Sequence, residues 1–150
     1  MNKYQKSILL EFSVVALVTL VAVIGIIHAK DYINRTEALR AMKHLGQVTQ
    51  KYKEQNGYIP PETYIENIKE KLQGVTRAGS LTYRGRWIGL DAADDEILAY
   101  AKNNTTSFFF KDGYVVLFLD GTVKFLPTQQ FETLIDQQQS PEEKTYHEQS

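Results

Sequence analysis

ILLEFSVVALVTLVAVIGII, residues 8–27, is a run of 20 residues with a single charge, Glu11. At ~1.5 Å of rise per residue, a helix of this length reaches ~30 Å, the thickness of a bilayer's hydrocarbon core. A soluble core helix would carry a polar stripe every three or four positions, and this run has none. Its apolar anchors are Ile8, Leu9, Leu10, Phe12, Val14, Leu17, Val21, Ile24 and Ile27. The expectation is a membrane anchor over residues 1–29, in contact with lipid, followed by a chain polar enough for water.

On the N-terminal side, MNKYQK holds two lysines and no acid, as a secretory signal peptide also would. The apolar core of such a signal is ~7–15 residues and lacks carboxylates. The length of the run and the presence of Glu11 therefore favour a retained anchor over cleavage near Ala29. Lys3 and Lys6 precede the run, while Lys30, Arg35, Arg40 and Lys43 follow it, so the positive-inside rule does not fix the orientation.

On the C-terminal side nothing breaks the helix. Residues 29–55 contain no proline and one glycine, Gly46. Leu39, Met42, Leu45, Val48 and Tyr52 recur at threes and fours beside Ala38 and Ala41, which makes one apolar face. The reading is a single helix over residues 4–55, stopped by Asn56-Gly57. Pro60-Pro61 forces extended backbone and then opens a second helix over residues 62–72, striped by Ile65, Ile68 and Leu72 and ended at Gly74.

After Gly79 the period changes from helical to extended. Strands are expected at 81–83, 86–90, 97–100, 108–110, 114–119 and 122–126, with a polar loop at 103–106. Asp112-Gly113 and Asp120-Gly121 fall between apolar runs and read as hairpin turns. The result is an antiparallel meander. A last short helix should begin at Thr128 as N-cap, with Phe131, Leu134 and Ile135 on one face. Residues 137–150 are Gln, Glu, Ser, Lys and Thr around Pro141, without apolar period, and read as a disordered tail. The fold class is α+β: an anchor (1–29), one domain (30–136) and a tail (137–150).

Composition excludes several functions. With 17 basic against 18 acidic residues, no global charge attracts nucleic acid. The absence of cysteine excludes disulfides, thiolate nucleophiles and cysteine metal sites. The three histidines share no metal-binding spacing, and no nucleophile–base pair or phosphate loop is visible, so the expectation is not an enzyme.

The order of elements resembles the type IV pilins and type II secretion pseudopilins. Ser7-Ile8-Leu9-Leu10-Glu11-Phe12 is similar to their hydroxyl–apolar–apolar–Glu–apolar signature, and Asn56-Gly57-Tyr58-Ile59-Pro60-Pro61 to the turn after their long helix. The strand–Asp120-Gly121–strand segment is similar to their Leu-Phe-x-Asp-Gly-His-Val hairpin, with Thr122 in place of the histidine. The resemblance implies a pilin-like α+β fold and a single-pass protein whose domain lies outside the cytoplasm. It implies a structural or accessory role in a secretion or pilus-type assembly, through helix contacts with itself or with related pilin-like subunits. It also implies that Glu11 sets register against a cationic group of a neighbour. The family's peptidase cuts after a glycine, whereas the equivalent junction here is Lys6–Ser7, so the implied protein keeps its N-terminus.

Two further features invite chemistry. Ser13, Ala16, Thr19, Ala22 and Gly25 place a small residue at every third position, which would let another helix approach closely. Asp91, Asp94, Asp95 and Glu96 form the densest acidic run. Pseudopilins can hold calcium in a loop before the final strands, and such a site needs several hard oxygens. No Asp-x-Asp-x-Asp-Gly pattern is present, so a solvated turn is the plainer reading and no cofactor is otherwise expected. The competing function is a tethered or secreted, non-enzymatic binding module that uses its sheet surface.

Overall fold

One helix, α1 (Lys3–Asn56), runs for 54 residues in the computed structural model. The structure describes residues 3–73, 81–89, 91–105 and 111–148, with side chains at 4–69, 81–89, 91–105 and 111–146. The ladder of α1 passes through the boundary between its apolar and amphipathic halves because neither half contains a proline. It stops where Gly57 turns its N–H back onto the Lys53 carbonyl at 2.8 Å. Helix α2 (Glu62–Gln73) begins after buried Pro60 and exposed Pro61.

Four strands follow: β1 (Leu81–Tyr83), β2 (Ile97–Asn103), β3 (Gly113–Phe118) and β4 (Val123–Pro127). They pair antiparallel in the order β1-β2-β3-β4, the expected meander. Helix α3 (Thr128–Gln138) and helix α4 (Pro141–Glu148) complete the described chain.

Alternation along β3 builds two cores, one on each face of the sheet. Val115 and Leu117 meet Ala38, Met42 and Leu45 of α1, together with Ile65 of α2 and Leu98, Ala99 and Ala101 of β2. Val116 and Phe118 point the other way, onto Phe131 and Ile135 of α3. A sheet buried on both faces explains why Gly113–Phe118 reads as an unbroken apolar run rather than an alternating one. In β2 a register shift between Ile97 and Ala99 lets Leu98 and Ala99 serve the same core while Ile97 serves the other. The Arg35 guanidinium lies 3.7 Å from the Phe125 ring centroid, and Gln50 donates to the Leu119 carbonyl at 2.8 Å. These two contacts clamp α1 to the sheet 15 residues apart. Burial raises the pKa of the Tyr83 phenol, whose hydroxyl donates to the Pro60 carbonyl at 2.7 Å and ties β1 to the start of α2.

Several local expectations are corrected. The strand expected at 86–90 does not form over 86–89: residues 85–87 make a turn, with Trp87 N–H donating to Arg84 O at 2.8 Å, and β1 pairs with β2. Its apolar residues serve packing, with Ile88 against the α1-side core. Asp120-Gly121 does form a hairpin. Gly121, at φ 86°, donates to Phe118 O while Phe118 N–H reaches Thr122 O, a turn followed by a one-residue bulge. The Asp120 carboxyl accepts from the Thr122 hydroxyl and N–H, which hold its pKa below the ordinary range. Asp112-Gly113 is not a two-residue turn. Gly113 already pairs with Asn103 and Pro127, and the Asp112 carboxylate takes the Thr105 N–H at 2.7 Å, closing the base of the β2–β3 connection. Thr128 makes no side-chain cap. Pro127 occupies that position without a side-chain cap, and the first helical N–H, that of Thr128, donates instead to Asp112 O at 3.3 Å.

The tail is corrected most. Gln137 and Gln138 end α3, and residues 141–148 form α4 rather than a disordered segment. Ser140-Pro141-Glu142-Glu143 supplies the reason: the Ser140 hydroxyl accepts the Glu143 N–H at 3.2 Å with proline in the first turn, a half capping box. The expectations at Gly74, Leu90, Thr106 and the 108–110 strand lie outside the described residues.

A Cβ on Gly113 would fall inside contact distance of the Leu126 carbonyl oxygen and the Phe125 ring. Gly113→Ala should therefore cost about 1–3 kcal/mol of domain stability. Thermal melting of the full chain in detergent reads this, and an unchanged melting temperature would contradict the β3–β4 register.

Candidate functional site

Among the described residues, none covers the apolar window of α1. Its 18-residue apolar window is 0 % buried, and the helix is long and apolar enough to cross a membrane. Phe12 is 74 % exposed, Leu17 64 % and Ile24 40 %; Ile8, Leu9, Leu10, Val14 and Val21 are likewise exposed, and Ile27 is half-buried. An apolar surface this continuous is far more than a soluble monomer leaves to water. The polar groups on it are turned inward. Ser13 donates to Leu9 O and Thr19 to Val15 O, each at 2.8 Å. Backbone and hydroxyl groups are thereby satisfied within one helix, the condition for any segment placed in hydrocarbon.

Glu11 is exposed on this surface, with Ser7 donating to it at 3.4 Å. The Lys6–Ser7 junction lies inside α1. A Cβ on Gly25 would meet nothing within 4 Å among the described residues, so that face stays open to a second helix.

The acidic run is spread around the far end of the sheet, away from the apolar half. Asp91 lies in an exposed turn. Asp94 and Asp95 contribute backbone: their carbonyls accept Asp120 N–H at 3.0 Å and the Gln138 amide at 3.1 Å. Glu96 turns inward, 3.8 Å from Arg84 Nη2, and its carbonyl accepts Leu119 N–H at 2.8 Å. No group of three or more His, Asp or Glu side chains suited to a metal ion occurs among the described residues.

The most concentrated electrostatics lie at a place the sequence reading did not single out. Arg84 and Glu143 are both fully buried. Arg84 Nε meets Glu143 Oε1 at 2.7 Å and Nη2 meets Oε2 at 3.0 Å, a two-pronged fork. Nη1 donates to Ile97 O at 2.7 Å and Nη2 to Gln138 O at 3.1 Å. Gln138 sits between, taking the Ile97 N–H at 2.8 Å and giving its amide to Asp95. The available signal was the Ser140–Glu143 cap, which announces a helix and hence a Glu held in one direction.

Because the apolar half of α1 touches none of the domain's core, Glu11→Leu and Gly25→Ala should leave the melting temperature of the domain in detergent unchanged. A shift beyond about 0.5 kcal/mol would contradict that separation. Compared with known proteins, the chain matches no family model, no curated protein and no solved structure.

Proposed function

We propose that the protein is a single-pass, prepilin-like structural component of a secretion or pilus-type assembly, held in the membrane by the first half of α1. What supports the reading is one observation: a single helix bears a bare apolar half and a half that carries an antiparallel four-strand domain. The rod transmits position directly from bilayer to domain, so helix contacts in the membrane set where the domains stand. Glu11 supplies the specificity. A carboxylate in hydrocarbon costs ~2.5–3.5 kcal/mol at the centre and less near an end, and a cationic group on a neighbouring helix offsets that cost. The small residues at 13, 16, 19, 22 and 25 give the close approach. Following the resemblance, the domain stands on the extracytoplasmic side and the partners are further copies or related pilin-like subunits.

A binding module working through an open sheet face fits less well. One face is covered by α1 and α2, the other by α3.

Cross-linking of the full chain in native membranes tests the proposal. The parent chain should give dimers and higher ladders, and Glu11→Leu should reduce them at least tenfold. Ladders unaffected by that change would overturn it. In the extracted chain the peptide spanning Lys6 and Ser7 should be found uncut, and a chain that begins at Ser7 would overturn the retained N-terminus.

A further inference from the structure

Among the described side chains of α4, Glu143 alone is buried, while Pro141, Glu142, Thr145 and Tyr146 are exposed. The helix buries little apolar surface of its own. What seats it is the fork to Arg84, aided by the Tyr146 ring 5.9 Å from that of Trp87 and a surface pair between Lys144 and Asp136. The receiving side is built without α4. Arg84 is fixed by Ile97 O and Gln138 O, and Gln138 is itself fixed by Ile97 N–H and Asp95 O. The guanidinium is thus pre-aimed with two adjacent donors presented to one carboxylate.

We propose that the Arg84 cleft is a carboxylate-recognition site for an acidic helical segment, and that the chain's own α4 is an occupant which such a segment displaces. The resident defines the ligand: a glutamate in the first turn of a capped helix, with an aromatic residue three positions later to lie near Trp87. Glu143 and Tyr146 have this spacing, and Arg86 stands 5.2 Å from the Trp87 ring and 5.6 Å from that of Tyr146.

Displacement is feasible because the cleft holds a second carboxylate. Glu96 lies 3.8 Å from Nη2 and keeps 20 % of its side chain exposed, so it partners Arg84 while α4 is away. Without such a stand-in, breaking a buried pair would leave an uncompensated charge. Arg84 therefore chooses between Glu96, just before β2, and a carboxylate carried on a helix.

The test is hydrogen exchange of residues 141–148 in the full chain in detergent micelles, read by mass spectrometry. The probe is a synthetic peptide of residues 139–148. Saturating peptide should speed exchange of the chain's own α4 by about tenfold or more, and the same peptide with Glu143→Gln should not. No acceleration, or equal acceleration by both peptides, would overturn the proposal. In the chain, Glu143→Gln should release α4 and bind a fluorescently labelled form of the 139–148 peptide more tightly than the parent does. The paired change Arg84→Met with Glu143→Leu replaces both charges by apolar side chains of similar length. It should fold, keep α4 slow to exchange and bind no peptide; peptide binding to it would overturn the assignment to Arg84.

Discussion

The structure depends on one unbroken ladder of backbone hydrogen bonds. Beyond its first turn each N–H of α1 finds a carbonyl four residues back, so the chain can leave an apolar environment and enter an aqueous one without exposing a polar backbone group at the crossing. The side chains change while the backbone does not. Over residues 8–27 they are apolar on every side apart from Glu11, Ser13 and Thr19; after that, Ala38, Met42 and Leu45 keep one buried face and Lys43, Gln47 and Lys51 are exposed. The sheet is arranged on that buried face.

The sheet is the natural partner for such a face, and its small size explains the rest of the domain. Four short strands expose two apolar faces, and α1 covers only one of them. Helix α3 closes the second through Phe131 and Ile135, with the Phe131 ring stacked 3.8 Å from Tyr114. The C-terminal turn of α3 then places Gln138 beside the Arg84 guanidinium, where α4 brings its glutamate. A buried ion pair at this corner adds less to net stability than apolar packing would, but it fixes which carboxylate sits there.

Long-period features were legible in the sequence. The 54-residue helix was expected to within one residue at each end, because absence of proline and a steady apolar period act over many turns. The meander and the Asp120-Gly121 hairpin were legible for the same reason as any strong turn signal. What failed were short segments whose residues serve tertiary contacts. Arg86-Trp87-Ile88 resembles a strand in composition, yet a turn at Arg84 sends Ile88 into the core. The tail looked too polar to order, and it is ordered through one glutamate whose partner lies 59 residues earlier. A pairing that distant leaves no mark on local composition. Of the candidate residues, the anchor positions and Glu11 sit together on one helix, whereas the acidic run is dispersed and Glu96 turns toward Arg84.

The central claim is that one unbroken helix joins the apolar half of α1 to the domain. The chain lacks cysteine, so spin labels placed at Ser13→Cys and Gln47→Cys, both exposed, report on the rod alone. For the full chain in lipid bilayers, the interlabel distance should be a single narrow distribution near 51 Å, or ~1.5 Å for each intervening residue step. A broad distribution, or one centred well below that length, would mean that the helix bends or breaks between membrane and domain, and would contradict the account.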